Sequence, residues 1–197
     1  NVVTAITGIE IALWDLAGKA LNVPVYQLLG GKFRDRIRLY CDCHAGRDDS
    51  PESHAERARE VVAMGFNAIK FDIDNAASPH KLDPHNWSIT PGELDEMVQK
   101  VCAVREAVGP NVDLAIDMHG RYDTYAAIRV AQALEAYNLM WLEEPVPPEN
   151  VKAMREVKRS TRTPICAGES LYLRWGFREM IESQAVDVIM PDIPKCC

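Results

Sequence analysis

The chain has 197 residues, a formal net charge of −7 and 47% hydrophobic residues, ample material for a buried core. The acidic balance argues against nucleic acid or an anionic membrane as partner, and no apolar run approaches the roughly 20 residues that cross a bilayer. There is no signal-peptide pattern. The six cysteines contain no CxxC pair, so in a chain of this length they read as reduced thiols in a cytoplasmic setting rather than as a disulfide framework.

Ile6, Ile9, Leu13, Leu16, Ala17 and Ala20 recur at helical steps, which predicts an amphipathic helix over 4–21. It begins almost at Asn1, so an N-terminal portion is expected to precede it. Pro24 closes the helix, and Val25–Leu29 makes a short helical return before Gly30–Gly31. The pattern then alternates. Strand Arg38–Cys43 is followed by helix Ser53–Met64 after Pro51, and strand Ala68–Phe71 follows Gly65. A long polar stretch, Asp74–Pro91, holds His80, His85 and Trp87 and leads to helix Glu93–Val108, with Thr90 as N-cap and Pro91 at the start. After Gly109–Pro110 come strand Asp113–Asp117, helix Thr124–Tyr137, strand Met140–Glu143 and helix Asn150–Ser160. Strand Pro164–Gly168, helix Trp175–Ser183 and strand Val188–Met190 complete the series. Asp48–Asp49 and the Arg155–Lys158–Arg159 cluster read as solvated faces, and Asp74–Pro91 as a solvated excursion at one end of the strands.

Six strands, the first five each followed by a helix, imply an α/β fold with a parallel sheet. A doubly wound sheet would need a glycine-rich turn after an early strand, and none is present. An incomplete (β/α)8 barrel accounts for chemical residues at strand after strand. A whole barrel takes about 250 residues, so this chain is expected to lack its last two units. Side-chain parity is consistent with this reading. With Ile69, Phe71, Leu114, Ile116, Leu142, Cys166, Gly168, Ile189 and Pro191 turned toward covering helices, Lys70, Asp72, Asp117, Glu143, Glu169 and Asp192 all face inward.

Leu114–Ala115–Ile116–Asp117–Met118–His119–Gly120 is the chemical centre of the sequence. Glu143 and Glu169 follow Asp117 at successive steps of 26 residues, the length of one strand–helix–strand unit. Three inward carboxylates at a barrel mouth need either basic partners or a hard divalent cation such as Mg2+, which prefers oxygen ligands. A divalent ion beside a lysine and a histidine suits proton removal alpha to a carboxylate, with the metal stabilising an enediolate.

The order Lys70–Phe71–Asp72, Asp117–Met118–His119, Glu143–Glu144–Pro145, Gly168–Glu169 and Pro191–Asp192 resembles the mandelate racemase branch of the enolase superfamily. Ala12–Leu13–Trp14–Asp15–Leu16–Ala17–Gly18–Lys19 through Leu28–Leu29–Gly30–Gly31 resembles the segment that joins the family's capping domain to its barrel. The resemblance therefore implies that residues 1–31 end a capping domain and 32–197 form about six of eight barrel units. Asp117–x–His119–Gly120–Arg121 and Leu171–Tyr172–x–Arg174–Trp175 are most similar to acid-sugar dehydratases of the galactonate and gluconate kind. The resemblance implies Asp117, Glu143 and Glu169 as Mg2+ ligands, His119 as general acid, and Arg121 and Arg174 as substrate contacts; Lys70 either binds the substrate carboxylate or enolate, or pairs with Asp72 or a metal ligand. It implies a lyase that converts an aldonate to a 2-keto-3-deoxy acid, with a small-molecule sugar acid as partner and a homo-oligomeric full-length form. Asp192 resembles the aspartate that orients a base histidine on the following strand. No histidine follows His119 in this chain, so that base is expected beyond residue 197. Asp72 replaces the second lysine of the racemase Lys–x–Lys, which disfavours racemization. A racemase, epimerase or cycloisomerase of the same scaffold is the alternative enzyme, and a truncated, non-catalytic chain the alternative of another class.

Overall fold

The computed structural model describes residues 2–46, 48–75, 77–83, 85 and 87–196; Cys197 lies outside them. The elements run α1 (Val2–Leu21), α2 (Val25–Leu28), β1 (Cys41–Asp42), α3 (Pro51–Ala63), β2 (Ala68–Asp72), α4 (Pro91–Val108) and β3 (Asp113–Asp117). After these come α5 (Thr124–Leu134), β4 (Trp141–Glu143), α6 (Val151–Arg159), β5 (Ile165–Ala167), α7 (Leu173–Glu182), β6 (Val188–Ile189) and α8 (Ile193–Cys196). All six strands are parallel and their spatial order is their chain order. A doubly wound sheet reverses its order at a switch point, whereas a barrel adds each strand beside the last. The winding is that of an incomplete (β/α)8 barrel.

Local chemistry starts the helices where the turns require. Ser50 accepts from the Ser53 amide with Pro51 at the first helical position, and Asp123 and Asn150 accept from the Ala126 and Ala153 amides. Thr90 and Glu93 form a reciprocal capping box, and Lys81 Nζ lies 2.9 Å from the Glu93 carboxylate, which pins the end of the 74–91 excursion to α4. That stretch is more tied down than its composition suggests: Asn75 and Ser78 donate to Glu96, and the His80 ring sits beneath Gly92.

Several boundaries differ from expectation; α1, α3 and α4 each start two residues early, and β5 and β6 are shorter than expected. β1 is confined to Cys41–Asp42, and the Arg38 side chain ahead of it bonds to Asn67 and Asp113 at the starts of β2 and β3. α5 ends at Leu134, where the chain tightens to a 3-10 turn and Asn138 turns left-handed. α7 starts two residues early, at Leu173.

Register sets the two faces of the sheet. Ile69, Phe71, Leu114, Ile116, Leu142 and Ile165 are buried against the helices, with Val101, Ala127 and Met154 among the residues that cover them. On the other face Lys70 pairs with Ala115, Asp72 with Asp117, and Asp117 with Glu143. The expected phase of β5 is wrong by one residue. Cys166 pairs with Glu143 and so faces inward, while Ile165 and Ala167 face the helices. Gly168 then restores the phase. At φ +137°, its missing Cβ would lie 2.9 Å from the Phe177 ring, on the helix side, so Glu169 comes back to the inner face.

Asp49 is not a solvated acid. Lys100, fully buried on α4, donates to Asp49 at 2.5 Å and to the Ile73 carbonyl at 3.2 Å. Buried His54 on α3 lies 2.8 Å from the other Asp49 oxygen. An ammonium out of water needs such partners, and they join the β1–α3 loop to α4. Of the basic cluster on α6, Arg155 and Arg159 are exposed as expected, but Lys158 ties down the Val186 carbonyl and Asp187.

The apolar stripe of α1 remains exposed, with Ile6, Ile9, Leu13 and Leu16 each more than half accessible. β1 and β6 are the sheet's two edges.

Replacing Asp49 by Asn leaves the buried Lys100 charge with weaker partners, and a loss of about 3 kcal/mol in urea unfolding is expected. The Asp49→Asn, Lys100→Met pair recovers most of that loss. Gly168→Ala meets both the left-handed backbone and Phe177, and a loss of about 2 kcal/mol by thermal melting is expected.

Candidate metal centre

Asp117 ends β3, Glu143 ends β4, and Glu169 follows β5 after the turn at Gly168. Their carboxylates offer oxygens that all lie within 4.8 Å of one another. Glu144 helps to hold the third in place. Its backbone is left-handed, at φ 36°, and its buried carboxylate accepts from the Gly168 and Ser170 amides, the two residues that flank Glu169. Glu143 alone of this glutamate pair turns to the inner face, as parity required.

Lys70 is the main compensating charge. Its ammonium donates to Asp117 Oδ2 at 2.8 Å and to both Glu143 oxygens at 3.0 and 3.2 Å. Burial alone would raise the Asp117 pKa, but the Lys70 hydrogen bond and charge, with the His119 amide, outweigh it and hold the group below the usual carboxylate range. Burial, followed by the Asp117 charge, pushes Glu143 up to about 7, with Lys70 and Trp141 only partly offsetting them. Burial likewise works against the Lys70 charge, yet its hydrogen bonds to the two carboxylates and their charges carry its pKa above the ordinary lysine value. Asp117 is therefore the stronger anion of the two acids that share one ammonium.

His119 stands beside this group in a left-handed turn at φ 51°. Its amide donates to Asp117 Oδ1 at 3.0 Å, and its ring Nε2 is 3.7 Å from Asp117 Oδ2 and 3.9 Å from Asp72 Oδ1. Asp72, Asp117 and His119 form a second cluster with ligand-type atoms within 4.8 Å. Burial raises the Asp72 pKa against the opposing charges of His119 and His44.

The other expected residues are less central. Arg121 is exposed and ion-paired with Asp74, tying the end of β3 to the stretch after β2. Arg174 is exposed on the first turn of α7, with its guanidinium 4.5 Å from the Trp175 ring centroid. Asp192 pairs with Lys195 at 3.2 Å, and the same ammonium binds Glu169 Oε1 at 2.6 Å. Lys195 went unrecognised in the sequence, where Pro194–Lys195–Cys196 carries no periodic signal. Tyr40, Lys70, Glu169, Met190 and Asp192 line a cavity of about 410 Å3 on the side between β1 and β6.

The donor set fits one hard divalent cation. All three groups are carboxylates. An octahedral ion with bonds of about 2.0–2.1 Å needs its ligand oxygens no more than about 4.2 Å apart, close to the 4.8 Å within which these three groups lie. The ammonium drawn between Asp117 and Glu143 shows that the field there attracts positive charge.

Residues 53–197 match the family model described as Enolase C-terminal domain-like, and residues 1–30 match that of the mandelate racemase / muconate lactonizing enzyme N-terminal domain. A curated D-xylonate dehydratase of Haloferax volcanii is 48% identical over 196 residues, which is 99% of this chain and 47% of that protein. A D-gluconate dehydratase of Thermoproteus tenax is 39% identical over 189 residues, 96% of this chain and 36% of that protein. The chain thus spans about half or less of the curated relatives it matches. A crystal structure of a mandelate racemase/muconate lactonizing enzyme-like protein from Rubrobacter xylanophilus superposes with a TM-score of 0.92 at 53% identity, covering 99% of this chain and 53% of that one. The fold, the inward carboxylates and these matches together place the chain in the enolase superfamily, in its mandelate racemase and muconate lactonizing enzyme branch.

Proposed function

We propose that the full-length protein is a Mg2+-dependent acid-sugar dehydratase, which removes water from an aldonate such as xylonate, gluconate or galactonate to give a 2-keto-3-deoxy acid. The observation that carries this reading is the convergence of Asp117, Glu143 and Glu169 with the His119 ring beside them. The dehydratase names of the curated relatives support the reaction class.

Asp117, Glu143 and Glu169 would hold the ion, whose charge lowers the cost of the negative charge that builds on the substrate carboxylate as the alpha proton leaves. A base takes that proton. Asp192 stands where the resemblance places the carboxylate that orients a base histidine. His119 gives a proton to the departing beta-hydroxyl, which leaves as water, and the resulting enol tautomerises to the keto acid. Lys70 keeps two of the three ligands turned inward. Arg121, at the end of β3, and Arg174, at the start of α7, meet the substrate's carboxylate or hydroxyls. Residues 1–31 belong to the capping domain and 32–197 to the barrel. The thiols of Cys41, Cys43, Cys102 and Cys166, free in the fold, support a cytoplasmic setting.

Incubation of the full-length protein with Mg2+ and a panel of aldonates is expected to release 2-keto acid. Epimerised substrate with no loss of water would sink the proposal. His119→Asn is expected to lower kcat by about 10²–10⁴-fold while the Mg2+-dependent rise in Tm persists. In Glu143→Gln that rise disappears, where saturation of the wild type at 100 times Kd stabilises it by about 2.7 kcal/mol.

A further inference from the structure

β4 carries a second inward residue two positions before Glu143. Trp141 faces the same way, and its indole Nε1 donates to Glu143 Oε2 at 3.1 Å. Trp141 pairs in register with Ala115, which pairs in turn with Lys70. The small methyl between them leaves room for the indole on one side and the lysine stem on the other. The Tyr40 ring meets the indole edge-on, with centroids 5.6 Å apart and planes at 82°, a favoured aromatic geometry. Tyr40 is itself fixed at both faces of its function: its hydroxyl donates to Met190 Sδ at 3.4 Å, and Lys70 Nζ lies 6.0 Å from its ring centroid.

Glu143 is fully buried, so its oxygens depend on protein donors for their direction. Lys70 bonds to both oxygens and leaves the rotation of the carboxylate loosely defined. The indole N–H is the directional donor, since it is planar, neutral and fixed by packing. Groups of this kind behind a metal ligand set its orientation and commonly change metal affinity 10–100-fold when removed.

We propose that Trp141 is a positioning residue for the cation centre, its N–H holding Glu143 Oε2 so that the carboxylate presents a fixed lone pair to a divalent ion, with Tyr40 bracing the indole. This rests on the reading that Asp117, Glu143 and Glu169 hold such an ion. If Trp141 only fills space, a ring of similar shape serves as well.

The test is titration calorimetry with Mg2+ on metal-stripped full-length protein, comparing wild type with Trp141→Phe and with a variant carrying β-(3-benzothienyl)alanine at 141, an isostere that replaces the N–H with sulfur. Melting curves in EDTA check the fold of each. The expected result is a Kd raised about tenfold or more in both variants with unchanged melting in EDTA. A change of less than threefold in a folded variant overturns the positioning role. If Trp141→Phe does not fold, the isostere decides alone. Wild-type protein that shows no saturable Mg2+ binding overturns the cation centre itself, an outcome distinct from failure of Trp141.

Discussion

Three carboxylates whose oxygens approach within 4.8 Å repel one another, and the repulsion grows as water is excluded. Everything near the barrel mouth is arranged around that energy. Asp117 and Glu143 are almost inaccessible and sit side by side in register, so they cannot swing apart without breaking the β3–β4 pairing. Lys70 enters from β2 and bonds to both, and Lys195 reaches Glu169 from the other side. The fold thus concentrates negative charge, and in this structure Lys70 and Lys195 between them answer all three carboxylates with ammonium groups.

The backbone holds the site against this repulsion. Residues with positive φ other than glycine recur at the strand ends, at His119 and Glu144, and each is fixed by hydrogen bonds. The Met118 and Gly120 amides donate to the Glu143 and Glu144 carbonyls, which carries the β3–β4 ladder past the last paired residues. Left-handed turns cost energy in a non-glycine residue, and they persist only where neighbouring bonds over-determine them. Here they set the direction of His119 and free the Glu144 carboxylate to bind the Gly168 and Ser170 amides.

Much of this was legible in the sequence. Alternation in Leu114–Ala115–Ile116–Asp117 and the even spacing of the acids located the sheet, its winding and the three inward carboxylates. What failed did so for local reasons. Glu169 reached the inner face as expected, but through Gly168, whose φ lets the chain shift phase by one residue after Cys166. Strand parity alone contains no such shift. Asp49 read as solvated because its partner Lys100 lies 51 residues away, on a helix that no local pattern brings against it. Ile6, Ile9, Leu13 and Leu16 formed the stripe that periodicity required, yet they stand exposed in this chain. Periodicity reports that a face wants burial, not what buries it.

The choice between dehydration and racemization turns on the two inward residues of β2. Racemization asks for proton carriers on both faces of one carbon. Lys70 is engaged by three hydrogen bonds to two carboxylates, so its ammonium is committed to the acids rather than free to shuttle a proton. Asp72, where a second lysine would stand in a racemase, lies in register with Asp117 and 3.9 Å from His119 Nε2. It belongs to the same side of the site as His119 and adds no carrier across from it. Among the described residues, Lys70 and Asp72 thus serve the acid cluster and the His119 side of the site.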